Sequence, residues 1–172
     1  MSNSGKNLIS YVDQKDTDNG EYDYLIKCLA LGDINVGKTC FLQRYITGNY
    51  LEKYSATVGI DFIQKRLLRT INDQNAILGK TQRIQVQLWD TAGQERFRSL
   101  CTVFLRDAMG FILVFDLTNE NSFLHCREWM QLLKQHAYCE DPDVILVGNK
   151  KDLINERKVT DVMANALANE FK

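Results

Sequence analysis

The feature that most constrains this chain is an octapeptide, Gly-Asp-Ile-Asn-Val-Gly-Lys-Thr, at residues 32–39. It fits the spacing G-x-x-x-x-G-K-[ST], in which the backbone N–H groups of a loop wrap a phosphate. An apolar run from Tyr24 to Leu31 precedes it, and apolar residues at helical spacing follow it. Strand, loop and helix therefore stand in the order that this motif requires. The alternative is a chance glycine turn between a strand and a helix.

The loop carries the groups that phosphate binding needs. Lys38 adds a positive charge that can stabilise the reacting phosphates, and Thr39 offers a hydroxyl to Mg²⁺. We therefore expect the residues after the first glycine to contact a nucleotide, a set that comprises Asp33, Ile34, Asn35, Val36, Gly37, Lys38, Thr39 and Cys40.

Length and composition indicate an ordinary globular protein. The chain has 172 residues, of which 45% are hydrophobic and 25% charged, with a net charge of −1. This balance gives no general attraction to nucleic acid. Five cysteines show neither a tight pair nor a metal-ligand spacing, and we expect Cys28 and Cys40 to be buried free thiols. That pattern is typical of a reducing compartment such as the cytosol.

The order of the apolar segments predicts the fold class. Residues 1–22 are polar and acidic and predict a disordered extension, followed by one domain over residues 23–172. Apart from one antiparallel hairpin, strands alternate with helices, which indicates an α/β fold with a doubly wound, mostly parallel sheet. The predicted strands after the first are Ile60–Leu68, Arg83–Trp89, Phe111–Leu117 and Asp143–Val147, and the predicted helices end near Ile46, span Asn121–Ala137 and start near Thr160.

The helix predicted over Asn121–Ala137 carries one tryptophan and two histidines close to its ends. We interpret Trp129 as a core contact, because it shares helical spacing with apolar neighbours. His125 and His136 are interpreted as surface groups.

Two further loops are predicted at the same edge of the sheet as the phosphate loop. Asp90, directly after a strand, can hold Mg²⁺ together with Thr39, because this cation prefers oxygen ligands. Thr57, in a segment without periodicity, is a second candidate ligand. Gly93 would bring a backbone N–H close to a terminal phosphate, and Gln94 could orient an attacking water. The alternative for Asp90 by itself is an ordinary aspartate at the start of a loop.

The tetrapeptide Asn149-Lys150-Lys151-Asp152 predicts which base is bound. A buried Asp152 carboxylate matches the paired ring N–H and amino donors of guanine, whereas adenine would leave it unpaired. Asn149 would tie this loop to the phosphate loop, and the Lys150 stem could cover the base. Alone, these residues are ordinary turn formers.

Together these motifs resemble the Ras superfamily of small GTPases. The segments 57–62 and 95–100 are similar to the Rab branch. The long hairpin loop 72–80 and the segments 104–110 and 137–140 resemble the Rab group of regulated secretion, which acts on secretory granules, lysosome-related organelles and melanosomes. The resemblance covers about residues 22–172. It implies the P-loop small GTPase fold and a GTP/GDP switch that hydrolyses GTP and recruits effectors.

The resemblance also implies roles for four aromatic residues. Tyr50 matches the residue that stacks on guanine, and Phe62, Trp89 and Phe104 match the cluster through which Rab proteins bind effectors. Sheet packing is the alternative for these three. The implied partners are effectors, an exchange factor and a GTPase-activating protein. The implied location is the cytosol and the cytoplasmic face of secretory vesicles or lysosome-related organelles.

The sequence departs from the family pattern inside the phosphate loop. The family usually has serine or glycine where this chain has Ile34, a position that faces the terminal phosphate. A branched side chain there should crowd Gln94 and the arginine of an activating protein, which predicts slow hydrolysis. A GTP-binding, effector-recruiting module with little or no hydrolysis is therefore an alternative to an efficient switch. A small shift of the loop would instead accommodate Ile34.

The second departure is at the end of the sequence. The family continues with a further strand, a loop that supports guanine, a closing helix and prenylated cysteines, none of which precedes Lys172. We expect membrane attachment to depend on such a prenylated C-terminus and the uncovered sheet edge to cost stability. A fragment, a short natural form and an unstable truncated chain all remain open.

Overall fold

The computed structural model describes residues 9–14, 21–49, 60–71, 80–91, 104–138 and 141–171. These segments contain six strands and four α-helices. The strands are β1 Ile9–Gln14, β2 Tyr24–Leu31, β3 Ile60–Ile71, β4 Lys80–Thr91, β5 Gly110–Asp116 and β6 Val144–Asn149. The α-helices are α1 Lys38–Thr47, α2 Glu120–Leu124, α3 Cys126–His136 and α4 Asp161–Glu170.

All six strands belong to one sheet, in the order β1-β3-β4-β2-β5-β6. β2, β5 and β6 are parallel neighbours, with Cys28 opposite Gly110 and Phe111 opposite Val144. Only eight residues separate β3 from β4, too few for a parallel crossover, so these two neighbours form an antiparallel hairpin. The predicted α/β class, a mostly parallel sheet with one antiparallel hairpin, is confirmed.

One strand lies where the sequence predicts disorder. β1, at Ile9–Gln14, falls inside the extension predicted for residues 1–22. It pairs antiparallel with β3, from Ile9 opposite Ile71 to Gln14 opposite Arg66. The physical reason is that β3 would otherwise present a row of unpaired backbone groups, which a neighbouring strand satisfies. For these six residues the prediction of disorder is wrong.

The chain divides into two compact units. The first comprises Met1–Ile26 and Gln64–Gln87. Within it, the Arg83 N–H donates to Asp23 Oδ2 over 2.7 Å, and the Asp23 N–H donates to the Arg83 carbonyl over 2.9 Å. These paired bonds fix the start of β2 beside β4. The single domain predicted for residues 23–172 stays a prediction.

The second unit, Lys27–Ile63 and Leu88–Lys172, contains the hydrophobic core. Apolar side chains of β2 and β5 pack against α3, and Trp129 is its largest fully buried residue, with 1% of its surface exposed. The ring of Phe123 meets Phe115 edge-on at 5.3 Å between centroids. The prediction that Trp129 is a core residue is confirmed.

Capping groups set the helix ends. The predicted helix Asn121–Ala137 is two helices that meet at His125. The Asn119 side chain caps α2 by accepting hydrogen bonds from two backbone N–H groups, those of Asn121 and Ser122. Thr160 caps α4 in the same way, by accepting a bond from the Met163 N–H. α1 ends at Thr47 and is followed by Gly48, whose φ of 73° lies in the left-handed region that favours glycine.

Candidate nucleotide-binding site

The phosphate loop joins β2 to α1 and depends on two glycines in the left-handed region. Gly32 has φ 134° and Gly37 has φ 91°. A methyl group on Gly32 would collide with the carbonyl oxygen of Val114, and one on Gly37 would collide with Asn149 Nδ2. Asn35 also has positive φ, at 64°, which asparagine tolerates better than most residues. The two glycines of the motif are therefore required, because neighbouring atoms approach their Cα positions too closely for any side chain.

Lys38 is folded back over this loop. Its ammonium group donates to the carbonyl oxygens of Gly32 and Asp33, each over 2.8 Å. The residue is 6% exposed although it carries a charge. A buried ammonium held by carbonyl oxygens beside a loop of N–H groups is placed to meet an anion.

Thr39 and Asp90 come together from α1 and β4. The Thr39 hydroxyl donates to Asp90 Oδ2 over 2.5 Å, and Asp90 is 6% exposed. The adjacent Thr91 hydroxyl donates to the Ala30 carbonyl over 2.7 Å and so ties β4 to β2. One hydroxyl and one carboxylate are hard oxygen ligands, which fit Mg²⁺ shared with phosphate groups. Within the described segments no group of three or more His, Cys, Asp or Glu side chains could hold a metal alone.

The loop after β6 contacts the phosphate loop through Asn149. Its Nδ2 donates to the Val36 carbonyl over 2.8 Å, which is the tie that the sequence predicts. Lys150, at φ 62°, directs its ammonium to Asp116 Oδ2 at 2.7 Å. Asp152, expected to be buried, is exposed in the structure. It lies on the turn after β6, where protein side chains leave its carboxylate accessible.

Asp116 is a buried carboxylate at the end of β5, with 5% of its surface exposed. Burial acts to raise its pKa, but hydrogen bonds from Lys150 and Thr118 outweigh burial and hold the pKa below its ordinary value. Asp116 therefore stays ionised and keeps Lys150 in place. No motif in the sequence indicates this role of Asp116.

Asp33 makes a contact that the sequence analysis missed. Its Oδ2 lies 2.6 Å from Nδ1 of His125, and its Oδ1 accepts a bond from Trp129 Nε1 over 2.9 Å. The interpretation of His125 as a simple surface group is wrong, because the junction of α2 and α3 brings it to the phosphate loop. His125 and Trp129 are four residues apart, and their shared face with two N–H donors was the available sign.

The negative charge of Asp33 affects the pKa of the neighbouring Cys126 thiol. Burial, followed by the charge of Asp33, raises the pKa of Cys126 to about 12. Cys126 is fully buried, whereas Cys28 and Cys40 are half-buried rather than buried as expected. Burial also raises the pKa of Cys28. These three cysteines are free.

The three aromatic residues of the predicted effector cluster are in contact. The rings of Phe62 and Trp89 stack at 4.9 Å between centroids, and Trp89 lies 5.3 Å from Phe104. The Lys27 ammonium lies 4.5 Å from the centre of the Trp89 ring, a cation–π contact, and 3.8 Å from Asp107. Phe62 is 43% exposed, but Trp89 and Phe104 are half-buried.

Four predicted site residues lie outside the described segments. These are Tyr50, Thr57, Gly93 and Gln94. Ile34 is described and is 42% exposed at the surface of the phosphate loop. The structure thus brings together the loop 32–39, Asp90 and Asn149, all within the second unit.

A strand–loop–helix unit with this loop, a facing carboxylate and a mostly parallel sheet defines the class of P-loop nucleotide-binding proteins. The protein-family model described as "Ras family" matches residues 27–172. The chain is 57% identical over 152 residues to Ras-related protein Rab-27A of Sus scrofa, an alignment that covers 88% of this chain and 69% of the relative. Identity to Ras-related protein Rab-27B of Homo sapiens is 55% over 152 residues, covering 88% and 70%.

The chain therefore belongs to the Ras family of small GTPases, in the Rab branch and its secretory group. It hydrolyses GTP and acts as a GTP/GDP switch in vesicle trafficking. Members of the family bind guanine nucleotides and Mg²⁺ and work with effectors, exchange factors and activating proteins. Similarity to Rab-27 suggests association with secretory vesicles. No helix in the described segments has the length and apolarity of a membrane span.

Proposed function

We propose that the loop 32–39 binds the phosphates of GTP and GDP, with Mg²⁺ held by Thr39, Thr57 and Asp90. The observation that carries this proposal is the 2.5 Å contact between Thr39 and Asp90 at the start of α1. Mg²⁺ supplies charge neutralisation on the phosphates when it is bound. The Lys38 ammonium, held 2.8 Å from two loop carbonyls, adds a second positive charge at the same place.

The base is guanine, selected by the loop after β6. Asp152 accepts the two guanine donors, and its exposure on the turn leaves it accessible to a base. Lys150, fixed by Asp116 at 2.7 Å, extends its stem along the base, and Tyr50 stacks on the other face. Asn149 couples base recognition to the phosphate loop through its bond to Val36.

Hydrolysis uses Gln94 to orient the attacking water and Gly93 to contact the terminal phosphate. Ile34 slows this reaction. Its branched side chain stands exposed on the phosphate loop, 42% accessible, rather than packed in the core. In Ras-type enzymes an arginine from an activating protein contributes a factor of about 10³–10⁵ in rate. A side chain that occupies part of that space lowers both the intrinsic rate and the activated rate. The protein then persists in its GTP form.

Single-turnover hydrolysis of radiolabelled GTP tests the role of Ile34. We expect Ile34→Ser to hydrolyse faster than the natural chain, with the larger difference in the presence of a Rab-activating protein. GTP affinity is expected to stay the same, because the backbone N–H groups of the loop are unchanged. The matched control is Ile145→Ser, which makes the same substitution at a still more exposed isoleucine on β6, 65% accessible against 42% for Ile34. Equal activated rates for Ile34→Ser and the natural chain would contradict the proposal.

Effectors dock on the cluster of Phe62, Trp89 and Phe104 together with the loops that contain Thr57 and Gln94. The stacked rings and the 43% exposure of Phe62 support this surface, since aromatic anchors are enriched in binding interfaces. An exchange factor and an activating protein act on the same loops. The place of action is the cytosol and the cytoplasmic face of secretory vesicles or lysosome-related organelles, reached through a prenylated C-terminus.

A further inference from the structure

His125 connects the helical layer to the phosphate loop. Its ring nitrogen Nδ1 lies 2.6 Å from Asp33 Oδ2, although the two residues are 92 positions apart in the chain. An ionised carboxylate only accepts hydrogen bonds. Nδ1 of His125 therefore carries a hydrogen atom and donates a hydrogen bond to Asp33. Trp129, one turn further along the same face, donates to the other carboxylate oxygen over 2.9 Å. Both oxygens of Asp33 are thus engaged by N–H donors from the helical layer.

The main chain of Asp33 is part of the phosphate-binding loop itself. Its carbonyl oxygen accepts one of the hydrogen bonds from the Lys38 ammonium, over 2.8 Å. A rotation of Asp33 would therefore displace both the loop backbone and the resting position of Lys38. A carboxylate so close to an anion site also opposes phosphate binding unless N–H donors hold and partly neutralise its charge.

His125 and Trp129 contribute differently to this arrangement. Trp129 is 1% exposed and fills the core, so its replacement would disturb packing as well as the contact. The His125 side chain is 41% exposed, and its contact with Asp33 is separable from core packing. His125 is therefore the residue through which the effect on the loop can be measured alone.

We propose that His125 is a positioning residue for nucleotide binding, which holds the Asp33 carboxylate and thereby slows release of the bound guanine nucleotide. This role rests on the proposed binding of nucleotide at residues 32–39. It goes beyond the phosphate, base and water contacts, because His125 meets the site through the side chain of Asp33. The α2–α3 junction thus becomes a support for the loop.

The test is the dissociation rate of a fluorescent GDP analogue, measured in Mg²⁺ after addition of excess unlabelled GDP. We expect His125→Ala to raise the rate about two- to tenfold, the factor that corresponds to one net hydrogen bond. His125→Asn keeps an N–H donor near the position of Nδ1 and should restore a rate close to that of the natural chain. His125→Gln places its donor nearer the position of Nε2 and should restore less.

Two controls separate positioning from a general loss of stability. His136→Ala removes the other histidine, on the last turn of α3, and should leave the rate unchanged. In an Asp33→Ala background, His125→Ala should have much less effect, because its acceptor is already gone. Thermal unfolding of each variant is measured in parallel.

The proposal is overturned if His125→Ala releases GDP at the natural rate, or if His125→Asn fails to restore it. It is equally overturned if His125→Ala and Asp33→Ala act additively. A natural chain that shows no saturable binding of the GDP analogue would instead contradict the proposed function, and this role with it.

Discussion

The pair formed by Asp116 and Lys150 shows how one buried charge organises the loop after β6. Asp116 is 5% exposed and accepts from the Lys150 ammonium at 2.7 Å and from the Thr118 hydroxyl and N–H. Removing the lysine would leave an ionised carboxylate without its counter-charge, whereas removing the charge of Asp116 would release the lysine. Either change would remove the contact that ties the end of β5 to the loop after β6.

Acidification should therefore destabilise the natural chain more than Asp116→Asn. Because the folded-state pKa of Asp116 is lowered, its contribution is present above the unfolded pKa of about 4 and is lost as pH falls through the folded pKa. At neutral pH we expect Asp116→Asn to lower the free energy of unfolding by about 1–3 kcal/mol. Urea denaturation between neutral pH and pH 3 measures this difference, which should shrink in acid.

The exposed pair Arg157–Asp161, at 2.6 Å, supplies the control for that experiment. The hydrogen bond from Arg157 lowers the pKa of Asp161, but water screens this surface pair. Asp161→Asn should change the pH profile much less than Asp116→Asn. A constant difference between the natural chain and Asp116→Asn at all pH values would contradict the expected loss of the charge.

Single residues of the site were predictable where a fixed motif dictates a backbone contact. The bond from Asn149 to Val36 and the pairing of Thr39 with Asp90 follow from motif spacing and sheet topology. The contacts of Asp33 with His125 and of Lys150 with Asp116 could not be predicted in this way. They join side chains far apart in sequence whose residue types are equally common on an exposed surface, so no local pattern distinguishes them.

At the level of elements, α4 depends on its cap more than α1 does. The Thr160 hydroxyl accepts from the Met163 N–H over 3.3 Å, whereas α1 begins at Lys38, after Gly37, without a side-chain cap. The first turn of α1 instead continues directly from the phosphate loop, so its backbone N–H groups can serve an anion. The two helix starts therefore differ because a side chain satisfies the first turn of α4, whereas the first turn of α1 can bind an anion.

Loss of the α4 cap should destabilise the fold without changing nucleotide selectivity. We expect Thr160→Ala to lower the free energy of unfolding by about 1 kcal/mol, because one backbone N–H loses its acceptor. Thr160→Ser retains the hydroxyl and should recover most of that loss. Urea denaturation at neutral pH measures both variants. If Thr160→Ser is as unstable as Thr160→Ala, the cap is not the cause.

Element type was predictable from periodicity, and element boundaries were not. The alternation of Ile84, Val86 and Leu88 predicts a strand, and β4 extends from Lys80 to Thr91. The break at His125 was missed because the spacing of apolar residues continues across it. β1 was missed because it is short and lies within a polar segment, and its pairing with the edge of β3 is not visible in the local sequence.

In the second unit as a whole, three loops follow the carboxyl ends of the parallel strands. The loop 32–39 follows β2, Thr118 follows β5 and Lys150 follows β6. Ligands of open α/β sheets bind at this edge, so one nucleotide can touch loops from several strands at once. Nucleotide binding should consequently stabilise the whole unit rather than one loop.

Guanine nucleotide with Mg²⁺ should therefore raise the melting temperature. At a ligand concentration about 100 times the dissociation constant, linkage predicts about 2.7 kcal/mol of stabilisation. For a chain of this size that corresponds to an increase of about 5–11 °C. Thermal unfolding in the presence of GDP, with and without a chelator of Mg²⁺, measures the effect. ADP is the matched control and should shift the melting temperature little, because Asp152 has no paired donors on adenine.

Replacement of Asp152 tests whether this stabilisation comes from base recognition. Asp152→Asn reverses the hydrogen-bonding pattern of the side chain, so xanthosine diphosphate should stabilise the variant and GDP should lose most of its effect. Asp161→Asn makes the same chemical change at an exposed position on α4 and should keep the preference for GDP. Equal stabilisation of the natural chain by GDP and ADP, or an unchanged GDP preference in Asp152→Asn, would contradict the role of Asp152 in selecting guanine.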